Sequence, residues 1–455
     1  MKEILKQGLY SFSGEFADLR YEIKRSSRVV FRGKELETAG KTIEQGGGVR
    51  VFDAGRLGFA TFSRPEDVKN ALKEAERLAH ISKPEQKIHL AKVEPVVKDF
   101  IPELQKDPRK ISLEEKVDLT KKYNDIALQG GEKIASTVAV YMDNEIERYY
   151  ISTDGTLVKE VRVYSGVSVN VIARDGTNVQ SAHISFGDQR GFGTVLNREK
   201  EIEDAVRDAI NLLNAERVKK GTYTVILDPE IAGVFIHEAF GHLSEADFVY
   251  KNEKLKEIMV IGKRFGPEFL NVVDDGSLIG ERGYIPIDDD GVLSKRTYLI
   301  KDGKLNARLH SRITAELMGE EPTGNSRAVS FMYPPIVRMT NTFIEPHEGT
   351  FEELLDGVEH GLYVVGALGG QTELEMFTFS SKKAYIIENG KIGNMVRDVV
   401  LSGNVFKTLM HIDKIGSDLR LFGGLGGCGK AGQYPLPVST GAPHIRIKDV
   451  VIGGE

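Results

Sequence analysis

This sequence of 455 residues contains one cysteine and no tryptophan. A lone Cys428 excludes an intrachain disulfide framework, so packing and hydrogen bonds must hold the fold. No apolar run is long enough to span a bilayer as a helix. Blocks of like charge are also missing. The 61 Lys and Arg residues are interspersed with 67 Asp and Glu, leaving a net charge of −6. Without a basic tract there is no electrostatic footprint for nucleic acid. The first residues, MKEILKQGLYSFSGEFAD, lack the apolar core of a secretory signal. These absences predict a cytoplasmic globular protein with neither membrane nor nucleic acid as partner.

What is present is an α+β pattern. The length exceeds what one core organises, and Lys219-Lys220-Gly221 reads as a junction. We therefore expect an N-terminal domain over 1–220, with helices on an antiparallel sheet. A C-terminal domain over 221–455 should be mainly antiparallel strand. Residues 18–34, 48–63 and 134–186 alternate apolar and polar with turn residues between them, which predicts hairpins and a meander. Ser63 with Glu66 and Ser112 with Glu115 have capping-box spacing and predict two helix starts. A further helix is expected over 199–217. Residues 83–110 hold four prolines and read as a surface crossing. Residues 254–266 read as a mobile loop. The acidic run Asp288-Asp289-Asp290-Gly291 lacks the ligand spacing of a calcium loop and reads as a structural turn.

Residues 228–247, DPEIAGVFIHEAFGHLSEAD, carry the strongest chemical signal. Asp228 can cap a helix and Pro229 suits its first position. Apolar residues follow nearly all round, which predicts a buried helix. It ends in His237, Glu238 and His242, an HExxxH pattern. In HExxH two histidines one turn apart face one metal ion. One residue more rotates the second histidine to ~140° from the first on a regular α-helix. Two escapes exist. A π-bulge widens the turn, or the helix ends in a left-handed cap at Gly241 and His242 swings back. Gly241 favours the second. Glu238 is then placed as general base for an attacking water. The alternative is an ordinary helix C-terminus where histidines favour the macrodipole.

Cys428 lies in LFGGLGGCGKAGQYPLP, residues 421–437. Glycine at this density lets backbone approach another group closely. Two histidines and a thiolate would hold Zn2+ and leave a fourth position open. A glycine-rich turn around a buried thiol is the alternative. His310, His347, His360 and His411 are candidates by type alone for stabilising an oxyanion.

Taken together, HEAFGHLSEAD at 237–247, TGNSR at 323–327, ENGK at 388–391 and GGCGKAGQYPLPVSTGAP at 426–443 resemble the TldD/PmbA family. Within it the sequence resembles the TldD-like type that keeps HExxxH. The resemblance implies a metalloprotease in which His237, His242 and Cys428 bind zinc and Glu238 is the catalytic base. It implies hydrolysis of unfolded peptides or leader peptides in a cavity enclosed by a dimer. That dimer is formed with a second copy or with a metal-free PmbA/TldE-like paralogue. The competing expectation is a non-catalytic peptide-binding subunit whose structural zinc takes Glu245 or Asp247 as fourth ligand.

Overall fold

The computed structural model describes residues 1–84, 86–104, 106–373 and 375–453. Alternation in the first half builds one sheet. Its strands are β1 (Phe16–Arg32), β2 (Glu35–Asp53), β3 (Arg56–Phe62), β4 (Val97–Phe100), β5 (Ile134–Ser152), β6 (Leu157–Asp175) and β7 (Asn178–Asp188). The order is β3-β2-β1-β5-β6-β4, with β7 also beside β6. The pairings are antiparallel except β4 with β6. Helices α1 (Lys2–Leu9) and α2 (Val68–Ile81) bury Leu5, Leu9, Leu72 and Ala75 against Leu19, Val49 and Val51. Helices α3 (Leu113–Leu128) and α4 (Glu199–Asn214) close a second core on Val29, Val167 and Val169.

Local signals decide the ends of these helices. The box at α3 forms, with Glu115 N–H donating to Ser112 Oγ at 3.1 Å and Ser112 N–H to Glu115 Oε2 at 3.1 Å. The box expected at Ser63 and Glu66 does not. A 3₁₀ turn over Pro65–Asp67 starts that helix and makes Arg64 its cap residue, so Ser63 lies outside the first turn. Helix α4 stops at Asn214, short of Arg217, because Glu216 and Arg217 pair with Val396 and Arg397. The crossing over 83–110 contains β4 and a 3₁₀ turn at Pro108–Lys110, while Glu85 and Gln105 lie outside the described residues.

From Gly221 onward two further large sheets form, beside two strand pairs, 326–327 with 336–337 and 428–430 with 433–436. The larger runs in the order 360–373, 221–227, 445–453, 400–404, 376–388, 391–397 and 216–217. The second runs 304–305, 296–301, 272–275, 341–344, 439–442 and 420–422. Most neighbours are antiparallel, in keeping with the α+β expectation. Helix α5 (Pro229–Ile236) lies between the sheets and touches both. Phe235 meets Phe377 and Phe379 edge-on at 5.5 and 5.8 Å. A Cβ at Gly233 would stand 2.5 Å from Gly441 N, so this side of α5 lies directly on strand backbone. The loop expected over 254–266 instead begins with a helix, Glu253–Ile258. Asn252 caps it through Leu255 N–H, and Leu255 and Met259 are buried. No helix among the described residues is long and apolar enough to cross a membrane.

The acidic turn ties the two halves together. Asp289 pairs with Arg20 at 2.9 Å and with Arg148, while Asp290 pairs with Arg50 at 2.8 Å. Asp288 accepts from the amides of Asp290, Val292 and Ser326. All three carboxylates are buried. Nearby, Phe331 sits on Gly46 and Gly48 of β2, where a side chain would collide with it or its backbone.

Candidate metal centre

The strand 221–227 delivers the chain into α5. Asp228 Oδ1 accepts from Ile231 N–H at 3.0 Å and from Gly366 N–H at 3.1 Å, so one carboxylate caps the helix and fixes it to a neighbouring strand. Helix α5 is buried along most of its length and ends at Ile236. A π-turn then spans His237–Gly241, and a 3₁₀ turn spans His242–Ser244. The amide of His242 donates to the carbonyl of His237, the i→i+5 bond that defines the wider turn. The two imidazoles consequently face each other, with ring centroids 5.2 Å apart and planes at 80°.

This corrects the expectation of a left-handed break at Gly241. Gly241 is helical, with φ −56° and ψ −53°. Its glycine is required by space instead, since a Cβ would lie 2.1 Å from the sulfur of buried Met339.

Cys428 arrives on a small hairpin of strands Cys428–Lys430 and Gln433–Leu436. Its Sγ stands 3.4 Å from His242 Nε2. One donor atom from each of His237, His242 and Cys428 lies within 4.8 Å of the others, and among the described residues this is the one such His/Cys/Asp/Glu group. His237 and Cys428 are buried and His242 is partly exposed. Glu238 stays at the rim, with Oε2 3.8 Å from His242 Nε2 and a quarter of its side chain exposed.

Electrostatics couple the cluster. Burial opposes charge on His237, but the Cys428 thiolate beside it raises its pKa above the ordinary value. Burial likewise acts against His242 and is overcome by Glu245 and Cys428, so that pKa lies well above usual. For Cys428 burial acts upward, and the two imidazoles outweigh it, bringing the thiol down to about 4. Glu245 is also buried, yet Lys430 and His242 hold it at about 2.

The donors suit a metal ion. Two imidazoles and a thiolate form a zinc-type set. His237 Nδ1 is buried without a hydrogen-bond partner, a costly state that ligation or an ordered water relieves. Neither Glu245 nor Asp247 joins the three. Glu245 Oε2 binds His242 Nδ1 at 3.0 Å and Lys430 Nζ at 2.9 Å, and Asp247 Oδ1 binds Lys430 Nζ at 2.7 Å.

Sequence reasoning missed the residues that hold the hairpin. Arg338 is fully buried and donates to the carbonyls of Cys428 at 2.8 Å and Gln433 at 3.2 Å. Arg282 donates to Gly426 O at 3.1 Å, and Arg327, the arginine of TGNSR, to Pro437 O at 2.7 Å. Only Arg327 lay in a motif that the sequence singled out, TGNSR, and nothing local marks Arg338 or Arg282. Of the four histidines chosen by type, none belongs to the cluster. His310 is held by Thr314 and Glu320 at 3.1 Å each, and His411 approaches Lys448 O at 3.3 Å. His347 lies beside Phe269 and His360 beside Tyr223.

Comparison with known proteins agrees over the whole length. Models described as the PmbA/TldA metallopeptidase domain 1, central domain and C-terminal domain match residues 17–79, 106–216 and 220–454. A metalloprotease of Synechocystis is 42% identical over 449 residues, covering 98% of this chain and 96% of its own. A protein of Saccharolobus solfataricus named a zinc metalloprotease TldD homolog is 30% identical, covering 96% of each chain. The crystal structure of a Thermotoga maritima protein named for modulation of DNA gyrase superposes with a TM-score of 0.80 at 22% identity, covering 100% of both chains. TldE from Thermococcus kodakarensis superposes with 0.79 at 18% identity, again covering 100% of both, and both likenesses concern the fold alone. With three family models covering most of its residues and relatives that match it end to end, this chain belongs to the TldD/PmbA metallopeptidase family.

Proposed function

We propose that the protein is a zinc-dependent peptidase of the HExxxH type, with His237, His242 and Cys428 as metal ligands and Glu238 as general base. The observation that carries this is the π-turn, which brings two histidines five residues apart to one thiol and leaves a carboxylate at the rim. A bound zinc ion would supply Lewis acidity to the scissile carbonyl and the attacking water. Glu238 takes the proton of that water and passes it to the leaving amine nitrogen. Its partial exposure suits this task, because the proton must be exchanged with substrate at the open side.

Substrate is an unfolded peptide or leader peptide bound as an extended strand, where backbone pairing supplies affinity. The working unit is a dimer enclosing the site, with a second copy or a metal-free PmbA/TldE-like paralogue, in the cytoplasm. We assign residues 1–220 to an N-terminal unit and 221–455 to the unit carrying the site. A purely structural zinc needs a fourth protein ligand, and the two carboxylates considered for it, Glu245 and Asp247, are turned to Lys430. That arrangement favours catalysis over the binding-subunit reading. The test is zinc content and cleavage of an unstructured peptide, with and without chelator, by the chain alone and mixed with such a paralogue. Zinc binding without cleavage in either arrangement would replace the peptidase reading by the binding one.

A further inference from the structure

Two of the three proposed ligands come from elements far apart in sequence. His242 follows the π-turn and Cys428 sits on the hairpin. One chain of contacts joins them from behind. His242 Nδ1 faces Glu245 Oε2 at 3.0 Å, and the same oxygen takes Lys430 Nζ at 2.9 Å. Lys430 is two residues beyond Cys428 on the same strand. Its ammonium is completed by Asp247 Oδ1 at 2.7 Å and Val337 O at 2.9 Å, and it lies 5.1 Å from the Phe248 ring centre.

Both charged groups are withdrawn from water. Glu245 is fully buried and the Lys430 side chain is 8% exposed. The Glu245 backbone is pinned as well. The flanking groups Ser244 O and Ala246 N–H bond to the amide and carbonyl of Leu309 at 2.8 and 3.0 Å. A buried charge pair is weak evidence for stability, because desolvation offsets much of the attraction. Its position behind a ligand suggests another role. A carboxylate that accepts N–H from one ring nitrogen fixes the tautomer and turns the other nitrogen's lone pair outward. Here the outward nitrogen is Nε2, the one 3.4 Å from Cys428 Sγ.

We infer that Glu245 and Lys430 are positioning residues for the metal centre. Glu245 holds His242 as the Nδ1–H tautomer, and Lys430 anchors both Glu245 and the Cys428 hairpin, so the imidazole and thiol are set before metal arrives. This rests on the reading of His237, His242 and Cys428 as ligands. It accounts for a buried lysine beside the site that neither binds metal nor transfers a proton.

The test uses the full chain, stripped and retitrated with zinc against a competing chelator. Glu245→Gln keeps an acceptor for Nδ1–H but loses the charge, and Lys430→Met loses the anchor. Each should weaken zinc by ~10–100-fold, the usual effect of removing such a group. Lys430→Arg should restore much of the loss. The nitrogen shifts of the His242 ring in metal-free protein, recorded at alkaline pH where the ring is neutral, should report one tautomer in wild type and a mixture in Glu245→Gln. Unfolding midpoints measured in chelator separate this from misfolding, and the tautomer readout does not depend on activity. Wild-type zinc affinity and a single tautomer in both variants would overturn the inference while leaving the ligands in place. Failure of the wild type itself to bind zinc would overturn the ligand assignment and this inference together.

Discussion

Gly241→Ala tests why the turn that carries His242 holds a glycine. Gly241 has ordinary helical dihedrals, so alanine suits its backbone and gains ~1 kcal/mol of helix propensity over glycine. Against this stands the Met339 sulfur, 2.1 Å from where the new Cβ would be. Met339 is fully buried between strands and cannot swing into solvent. Overpacking of this kind typically costs ~1–3 kcal/mol. The net expectation is a destabilisation of up to ~2 kcal/mol by subtraction of those ranges, with weaker zinc retention because His242 follows directly. Met339→Ala alone should cost ~2–5 kcal/mol as a cavity. The two substitutions should therefore couple favourably, the second costing less once Cβ occupies part of the space. Denaturant unfolding of the four proteins measures this. Strict additivity would refute the steric account of Gly241, and a large penalty surviving in the double variant would return the position to a backbone requirement.

Three further outcomes follow from the same structure. Asp289→Ala leaves Arg20 and Arg148 buried without their shared carboxylate and should cost ~3–5 kcal/mol in denaturant unfolding; an unchanged midpoint would remove the acidic turn from the account of how the halves are joined. In metal-free protein the thiolate absorbance of Cys428 should persist on acidification down to about 4, since imidazolium charge outweighs burial there; loss of the thiolate near the ordinary 9.0 would contradict this. Cys428→Ser should sharply reduce zinc retention, because a neutral hydroxyl replaces a thiolate, and full occupancy would take Cys428 out of the ligand set.

Much of this architecture was legible in the sequence because it is local. Alternation over 134–186 gives β5, β6 and β7, and Ser112 with Glu115 gives the start of α3. Asp228 and Pro229 mark the start of α5, and the three donors are named by residue type and motif. What escaped is set by contacts distant in sequence. Gly241 marks close approach of Met339, not the left-handed cap its residue type suggested, and that neighbour lies almost a hundred residues away in sequence. Ser63 and Glu66 match a capping box, yet Pro65 opens a 3₁₀ turn one residue later. Arg338 lies outside every motif, and Lys430 lies inside the glycine-rich one with nothing local to mark its role. Their roles appear only when the hairpin folds back on the π-turn and on the strand pair that holds Val337.

Cleavage of an unstructured peptide by wild type and Glu238→Gln at equal zinc content is the most direct test of the central claim. Gln is nearly isosteric and Glu238 is outside the three-residue donor group, so zinc content and unfolding midpoint should match. The amide cannot take a proton from water, and the rate should fall by ~10²–10⁴-fold. Chelator should abolish cleavage by the wild type, and added zinc should restore it. Equal cleavage by both proteins at equal zinc would contradict the assignment of Glu238, and cleavage that survives complete removal of metal would contradict the metallopeptidase account itself.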